Sequence, residues 1–286
     1  KNHLLPGYTH LQIAMPSSFG LWFSAYAEAL SDDLNALHNA YQMANKNPLG
    51  SAAGYGTSFP INRMLTTQLL NMPKMHYNVV YAQMTRGKTE KWMADGLAAI
   101  AATLSKLAYD CCLYMSQNFG FIRFPDHLTT GSSIMPHKKN PDVFELIRAK
   151  CNVIQATPVQ LNLLLNNLPS GYHRDFQLTK SCLFPAIDEL KLCLTMMNHM
   201  LQHIAVKADL LSSKKYDTLF SVEAVNQLVM QGESFREAYR TIGKSIEEDN
   251  FIAEKELNHT HEGSMGNLCL DKICDNFKEI VKKFDY

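Results

Sequence analysis

The chain has 286 residues, with 27 basic and 27 acidic side chains and a formal net charge of zero. That balance lacks the basic surplus that a nucleic-acid partner would want, and the length allows one large domain or two smaller ones. Seven cysteines, an odd number with no CxxC pair, argue for reduced thiols in a cytoplasmic protein rather than a disulfide framework.

The elements follow in chain order. Leu5-Pro6-Gly7-Tyr8-Thr9-His10-Leu11-Gln12 opens the chain and places His10 ahead of a helix. Phe23, Ala27, Leu30, Leu34, Leu37, Tyr41 and Ala44 then alternate four and three residues apart. Such spacing draws one apolar stripe along a helix that packs nearly parallel to its neighbours. A break over Asn47 to Pro60 holds three glycines and two prolines, and Asn47-Pro48-Leu49-Gly50-Ser51-Ala52-Ala53-Gly54 begins it. A helical pattern over roughly 62–86 follows, with Arg63 at its start as a salt-bridge or substrate candidate. A second stripe is Leu97, Ala101, Leu104, Ala108, Cys111 and Met115. A loop rich in Gly, Pro and Thr runs from Asn118 to Asn140, and a helix over roughly 141–167 is expected to kink near Pro158. After the polar connection Leu168 to Lys180, a last long stripe is Leu183, Ile187, Leu190, Leu194, Met197, Leu201 and Ile204.

Strand signals are absent, and no signal peptide or apolar run of membrane-spanning length is expected. Gly232, Gly243 and Gly263 punctuate shorter helices beyond Ser212-Ser213-Lys214-Lys215. The expected architecture is all-α: a long five-helix bundle over 1–212, then a smaller helical domain over 213–286.

The most informative stretch is Gly131-Ser132-Ser133-Ile134-Met135-Pro136-His137-Lys138-Lys139-Asn140, followed by Pro141-Asp142. Asn at an N-cap with Pro at the first helical position is a start signal. The polar segment reads as a loop emptying into the positive end of a helix, where N–H groups and lysine charge could hold an anion beside a serine. Taken alone, the Ser-Ser pair is a turn former and Lys139 a solvated lysine. His127, His137 and His173 lie in loops without metal-site spacing. The nucleophile elbow, the P-loop and the dinucleotide fingerprint are all missing.

This loop resembles the signature loop of the fumarase/aspartase superfamily. The run Lys138-Lys139-Asn140-Pro141-Asp142 with Glu145-Leu146-Ile147-Arg148, the His10 motif and the Asn47 motif are similar to the argininosuccinate lyase family, and the likeness covers almost the whole chain. It implies a cofactor-free β-elimination of argininosuccinate to arginine and fumarate, in a homotetramer whose sites are shared between subunits. Adenylosuccinate lyase and non-catalytic δ-crystallins are the rival readings. The resemblance also implies a further N-terminal domain ahead of the His10 motif, with residues that bind substrate.

Residue by residue, the resemblance makes Ser132 the base, Lys138 the cation facing the developing carbanion, and His10 with Glu145 the pair assisting the leaving nitrogen. Thr9, Gln12, Ser133 and Asn140 become substrate hydrogen-bond partners, with Asn140 equally a helix cap. Tyr172, Gln177 and Lys180 match the segment that holds the amino-acid end of the substrate, although His173, Phe176, Leu178 and Thr179 depart from the usual form. Glu145 is expected off an apolar face traced by Val143, Leu146 and Ile147.

Overall fold

The computed structural model describes residues 3–284. Ten α-helices dominate them: α1 (Phe19–Ala44), α2 (Arg63–Leu69), α3 (Val79–Met84), α4 (Lys88–Met115), α5 (Asp142–Ile154), α6 (Thr157–Leu164), α7 (Thr179–Gln202), α8 (Ser221–Met230), α9 (Phe235–Glu247) and α10 (Leu270–Lys282). Contacts divide the chain into two units, and both are discontinuous in sequence. One unit takes in 3–28, 114–123 and 204–276, and the other 29–113, 124–203 and 277–284.

In that first unit the absence of strands is corrected. Leu4–Thr9 (β1) and Gln12–Ser18 (β2) form an antiparallel hairpin, with register from Leu4↔Ser18 to Thr9↔Gln12 and a shift between Pro6 and Tyr8. The shift falls at Gly7, where a Cβ would lie 2.6 Å from the carbonyl oxygen of Met15. Pro6, Gly7 and Pro16, residue types depleted in strands, hide the alternation from which a strand is normally recognised. Tyr8 packs edge-on to Phe119 with ring centroids 5.2 Å apart, and Phe121 packs on Phe119 at the same separation. Leu210, Leu211, Tyr216, Leu219 and Phe220 are buried around them. Lys255 ties down the segment after α9, pairing with Asp217 at 2.8 Å and donating to the Leu211 carbonyl at 2.7 Å.

The second unit carries the long-helix packing. The α4 stripe is buried from Leu97 to Cys111, as its spacing predicts. By length and composition alone α4 is apolar enough to cross a membrane, but ten of its residues are packed inside, as in a core helix. Gly96 lets α1 come close, because a Cβ there would sit 3.0 Å from Leu37 Cα. Thr103 donates to Asp33 at 2.6 Å across the same contact. In the part of α1 that belongs to this unit, Ser31, His38 and Ala40 take the buried positions, while Leu30, Leu34 and Leu37 are half-buried. Ser105 on α4 donates to Asn152 on α5 at 2.8 Å, and α5 packs in turn on α7.

One helical expectation needs correction, and a second, the kink near Pro158, takes the form of a break. The 62–86 pattern is two short helices, each capped by an asparagine side chain at Asn62 and Asn78, because Pro73 and the left-handed Asn71 interrupt it. The 141–167 pattern breaks into α5 and α6, since Pro158 at the start of α6 supplies no N–H to the turn before it.

Candidate active site

The 130–142 segment is a loop pinned at its base. Thr130 pairs with Asn140 and Gly131 with Lys139 in a short antiparallel bridge, which leaves Ser132 to Lys138 as the loop proper. Ser132 is half-buried at the start of that loop. Its Oγ accepts the backbone N–H of Met135 at 3.2 Å and of Ile134 at 3.4 Å. Two N–H dipoles aimed at one oxygen favour its anionic form over the hydroxyl. Lys138 N–H donates to the Met135 carbonyl at 3.0 Å and closes the turn. Ser133 and Lys138 are exposed, and Ile134 is 83% exposed.

The electrostatics differ in part from the expectation. Lys139 pairs with Asp126 at 3.0 Å, so its charge is partnered by a carboxylate outside the loop. Lys138 forms no ion pair among the described residues and is the cation the loop can present. The first turn of α5 carries Asp142 and Glu145, which offset the positive end of the helix.

Asn140 does not cap α5. Its backbone is held in the bridge to Thr130, its Nδ2 donates to Thr130 Oγ1 at 3.3 Å, and the cap position falls to Pro141 with no side-chain bond. Glu145 is exposed and off the buried face of α5. That face is Phe144, Ile147, Cys151 and Ile154, whereas Leu146 is 60% exposed and only Ile147 of the expected trio is buried.

His10 stands on a hairpin rather than at a helix entrance. His10 and Leu11 form the tip between β1 and β2 with φ of 54° and 58°. A two-residue turn with both residues left-handed matches the twist of the flanking strands, and it is normally built from Asn-Gly. A leucine there is strained. The turn puts His10 at the exposed tip with Thr9 and Gln12, a cross-strand pair, on either side of it. Thr9, His10 and Gln12 thus form one constellation in the first unit, while the other predicted residues belong to the second.

The structure also brings together Tyr172 and Gln177, whose Nε2 donates to the phenol oxygen at 3.3 Å. Phe176 is buried and anchors the segment, with its ring 6.0 Å from Tyr172 and 6.2 Å from His173. Thr179 donates to the Phe176 carbonyl at 2.7 Å, and Lys180 follows, exposed, in the first turn of α7.

The Asn47 motif is scaffolding for a cavity. Asn47 is fully buried, donates to Thr67 at 2.8 Å and accepts the Leu49 N–H at 2.9 Å. Arg63 spends its guanidinium on three carbonyls, Leu49 at 2.8 Å, Tyr77 at 3.0 Å and His76 at 2.6 Å, so it clamps the loop. Gly50, with φ of 86°, lies against the Arg63 side chain. A cavity of about 610 Å³ lies beside the motif, lined by Gly50, Ser51, Phe59, Gln83 and Arg86 among others. Burial, with Lys46 and Arg63 nearby, pushes the His76 pKa below its ordinary value.

No group of three or more His, Cys, Asp or Glu side chains among the described residues is placed to hold a metal ion. Sequence reasoning missed Thr130 and Asp142 as partners. The signal was their symmetric placement two residues outside Ser132 and Asn140. It also missed the left-handed Leu11, for which no residue-type signal exists.

An argininosuccinate lyase of Parabacteroides distasonis is 59% identical over the whole chain, and one of Bacteroides thetaiotaomicron is 57% identical. The chain spans 64% of the length of each. Among solved structures, an EDDS lyase in complex with formate superposes with a TM-score of 0.82 over 99% of the chain and 64% of its own length. At 21% identity it supports the fold alone. Residues 1–156, more than half of the chain, match the lyase family profile, and the chain belongs to that lyase family.

Proposed function

We propose that this chain supplies the catalytic loop and helical core of an argininosuccinate lyase, which splits argininosuccinate into arginine and fumarate. The observation that carries the reading is the Ser132 oxygen under two backbone N–H groups, in a loop that presents Lys138. Ser132 as the alkoxide removes a proton from the carbon beside the substrate carboxylate. The electron pair first gathers on that carboxylate, where Lys138 opposes the charge, and Ser133 and Asn140 add hydrogen bonds. The pair then forms the carbon–carbon double bond as the carbon–nitrogen bond breaks. The leaving guanidinium nitrogen takes a proton through His10, held by Glu145. Thr9 and Gln12 would orient the fumarate part, and Tyr172, Gln177 and Lys180 the amino-acid part. Every step is a proton transfer or a bond cleavage with no change in redox state.

The site is proposed to be shared in a cytoplasmic homotetramer, with His10 and Glu145 paired across a subunit boundary. Apolar side chains left open on α5, α6 and α7 support assembly: Leu146, Val153, Leu163 and Phe184 are all more than half exposed. We also propose the division into a bundle over 1–212 and a small helical domain over 213–286. The test is fumarate release by the full-length protein, followed spectrophotometrically with argininosuccinate and with adenylosuccinate. Release from argininosuccinate alone supports the reading. Release from adenylosuccinate alone, or from neither, overturns it in favour of the related lyase or a δ-crystallin-like structural role.

A further inference from the structure

We infer that Thr130 and Asp142 are positioning residues that set the place of Ser132, by tying both ends of the loop to the first turn of α5. The inference rests on the reading of this loop as catalytic.

Thr130 Oγ1 donates to the Asp142 carboxylate and accepts from Asn140 Nδ2 at 3.3 Å. One hydroxyl therefore joins the incoming strand, the outgoing strand and the helix. The backbone bridge Thr130↔Asn140 and Gly131↔Lys139 lies directly beside it. Asp142 is the first residue of α5, whose buried face of Phe144, Ile147, Cys151 and Ile154 fixes the helix in the second unit. A chain of contacts thus runs from packed core to Asp142, to Thr130, and through two peptide bonds to Ser132. Beyond Ser132 the side-chain and turn bonds of the loop run within it, from Ile134 and Met135 to Ser132 and from Lys138 to Met135. The Lys139–Asp126 pair adds a second tie, but both partners are largely exposed and such pairs hold little.

A hydroxyl that donates one bond and accepts another cannot be replaced by a methyl group without loosening both. Ser132 would then lose its register against the carbon it deprotonates, while groups that bind the substrate ends stay where they are. Misplacement by about 1 Å costs a reaction on the order of 100-fold.

The experiment measures kcat and KM for argininosuccinate in the full-length enzyme, with assembly checked by size-exclusion chromatography. Thr130→Val and Asp142→Ala should each lower kcat by about 10- to 100-fold, leaving KM within about threefold. Thr130→Ser, which keeps the hydroxyl, should restore most of the rate. Because both residues act through one bond, the double variant should fall no further than about threefold below the worse single. The inference is overturned if Thr130→Val keeps kcat within about twofold of the parent, if the two losses multiply, or if Thr130→Ser is as slow as Thr130→Val. Should Thr130→Val fail to assemble, Asp142→Ala with Thr130→Ser decides on the same criteria. A Ser132→Ala control separates the two levels. Activity in that control refutes the catalytic reading of the loop, whereas a dead control beside a normal Thr130→Val refutes only the tie.

Discussion

The N–H groups of Ile134 and Met135 bias Ser132 towards its anion because they stabilise charge on Oγ more than a neutral hydroxyl. Where a backbone conformation is equally demanding, side-chain additions should be costly. Gly50 has φ of 86°, and a Cβ would lie 2.8 Å from Arg63 Cγ. Gly50→Ala should therefore lose about 1–3 kcal/mol in a denaturant titration; an unchanged midpoint would mean that the Arg63 clamp yields freely. The thiols allow a second residue-level check. Cys111, Cys151 and Cys193 are buried, and burial pushes Cys151 up to about 12, so almost no thiolate exists there at neutral pH. Alkylation of the native protein followed by mass spectrometry should label exposed Cys274 and spare those three until the protein unfolds. Labelling of Cys151 at the rate of Cys274 would contradict the packing of α5.

At the scale of elements, the α4 stripe was legible because every position from Leu97 to Cys111 in the 4-3 pattern is satisfied within one chain. The α1 and α7 stripes were only half legible: Leu34 and Leu37 are half-buried and Leu194 is 39% exposed. Periodicity reports that a face is apolar and not what covers it. The β1–β2 hairpin was not legible, since Pro6 and Pro16 face each other in its register and its turn is His-Leu rather than Asn-Gly. Likewise, Asn140 carries a capping side chain, yet its partner is a threonine ten residues earlier, and no local rule finds that. The segment around His76 makes a pH prediction. Its folded pKa lies below the ordinary 6.5, so the unfolded chain binds more protons as pH falls through that value. Stability from this group is complete above pH 6.5 and is lost below it. Between pH 7.5 and 5.5 the parent should lose more thermal stability than a His76→Gln variant, which cannot titrate. Equal losses would show that His76 gains its proton freely in the folded state.

For the whole molecule, the family assignment followed from three motifs in order, and the substrate and the assembly rest on the proposed reading. Shared sites make a particular demand on the assembly. Neither a Ser132→Ala chain nor a His10→Asn chain should work alone, but tetramers mixed from both should regain partial activity. Well-formed mixed tetramers with none would argue for sites built within one chain. The most direct measurement is the turnover of argininosuccinate by full-length Ser132→Ala, with assembly verified. Loss of a general base predicts a fall in kcat of about 10²- to 10⁴-fold with the fold unchanged. A kcat within about twofold of the parent would contradict the account, because the chemistry assigned here has no other group to take that proton.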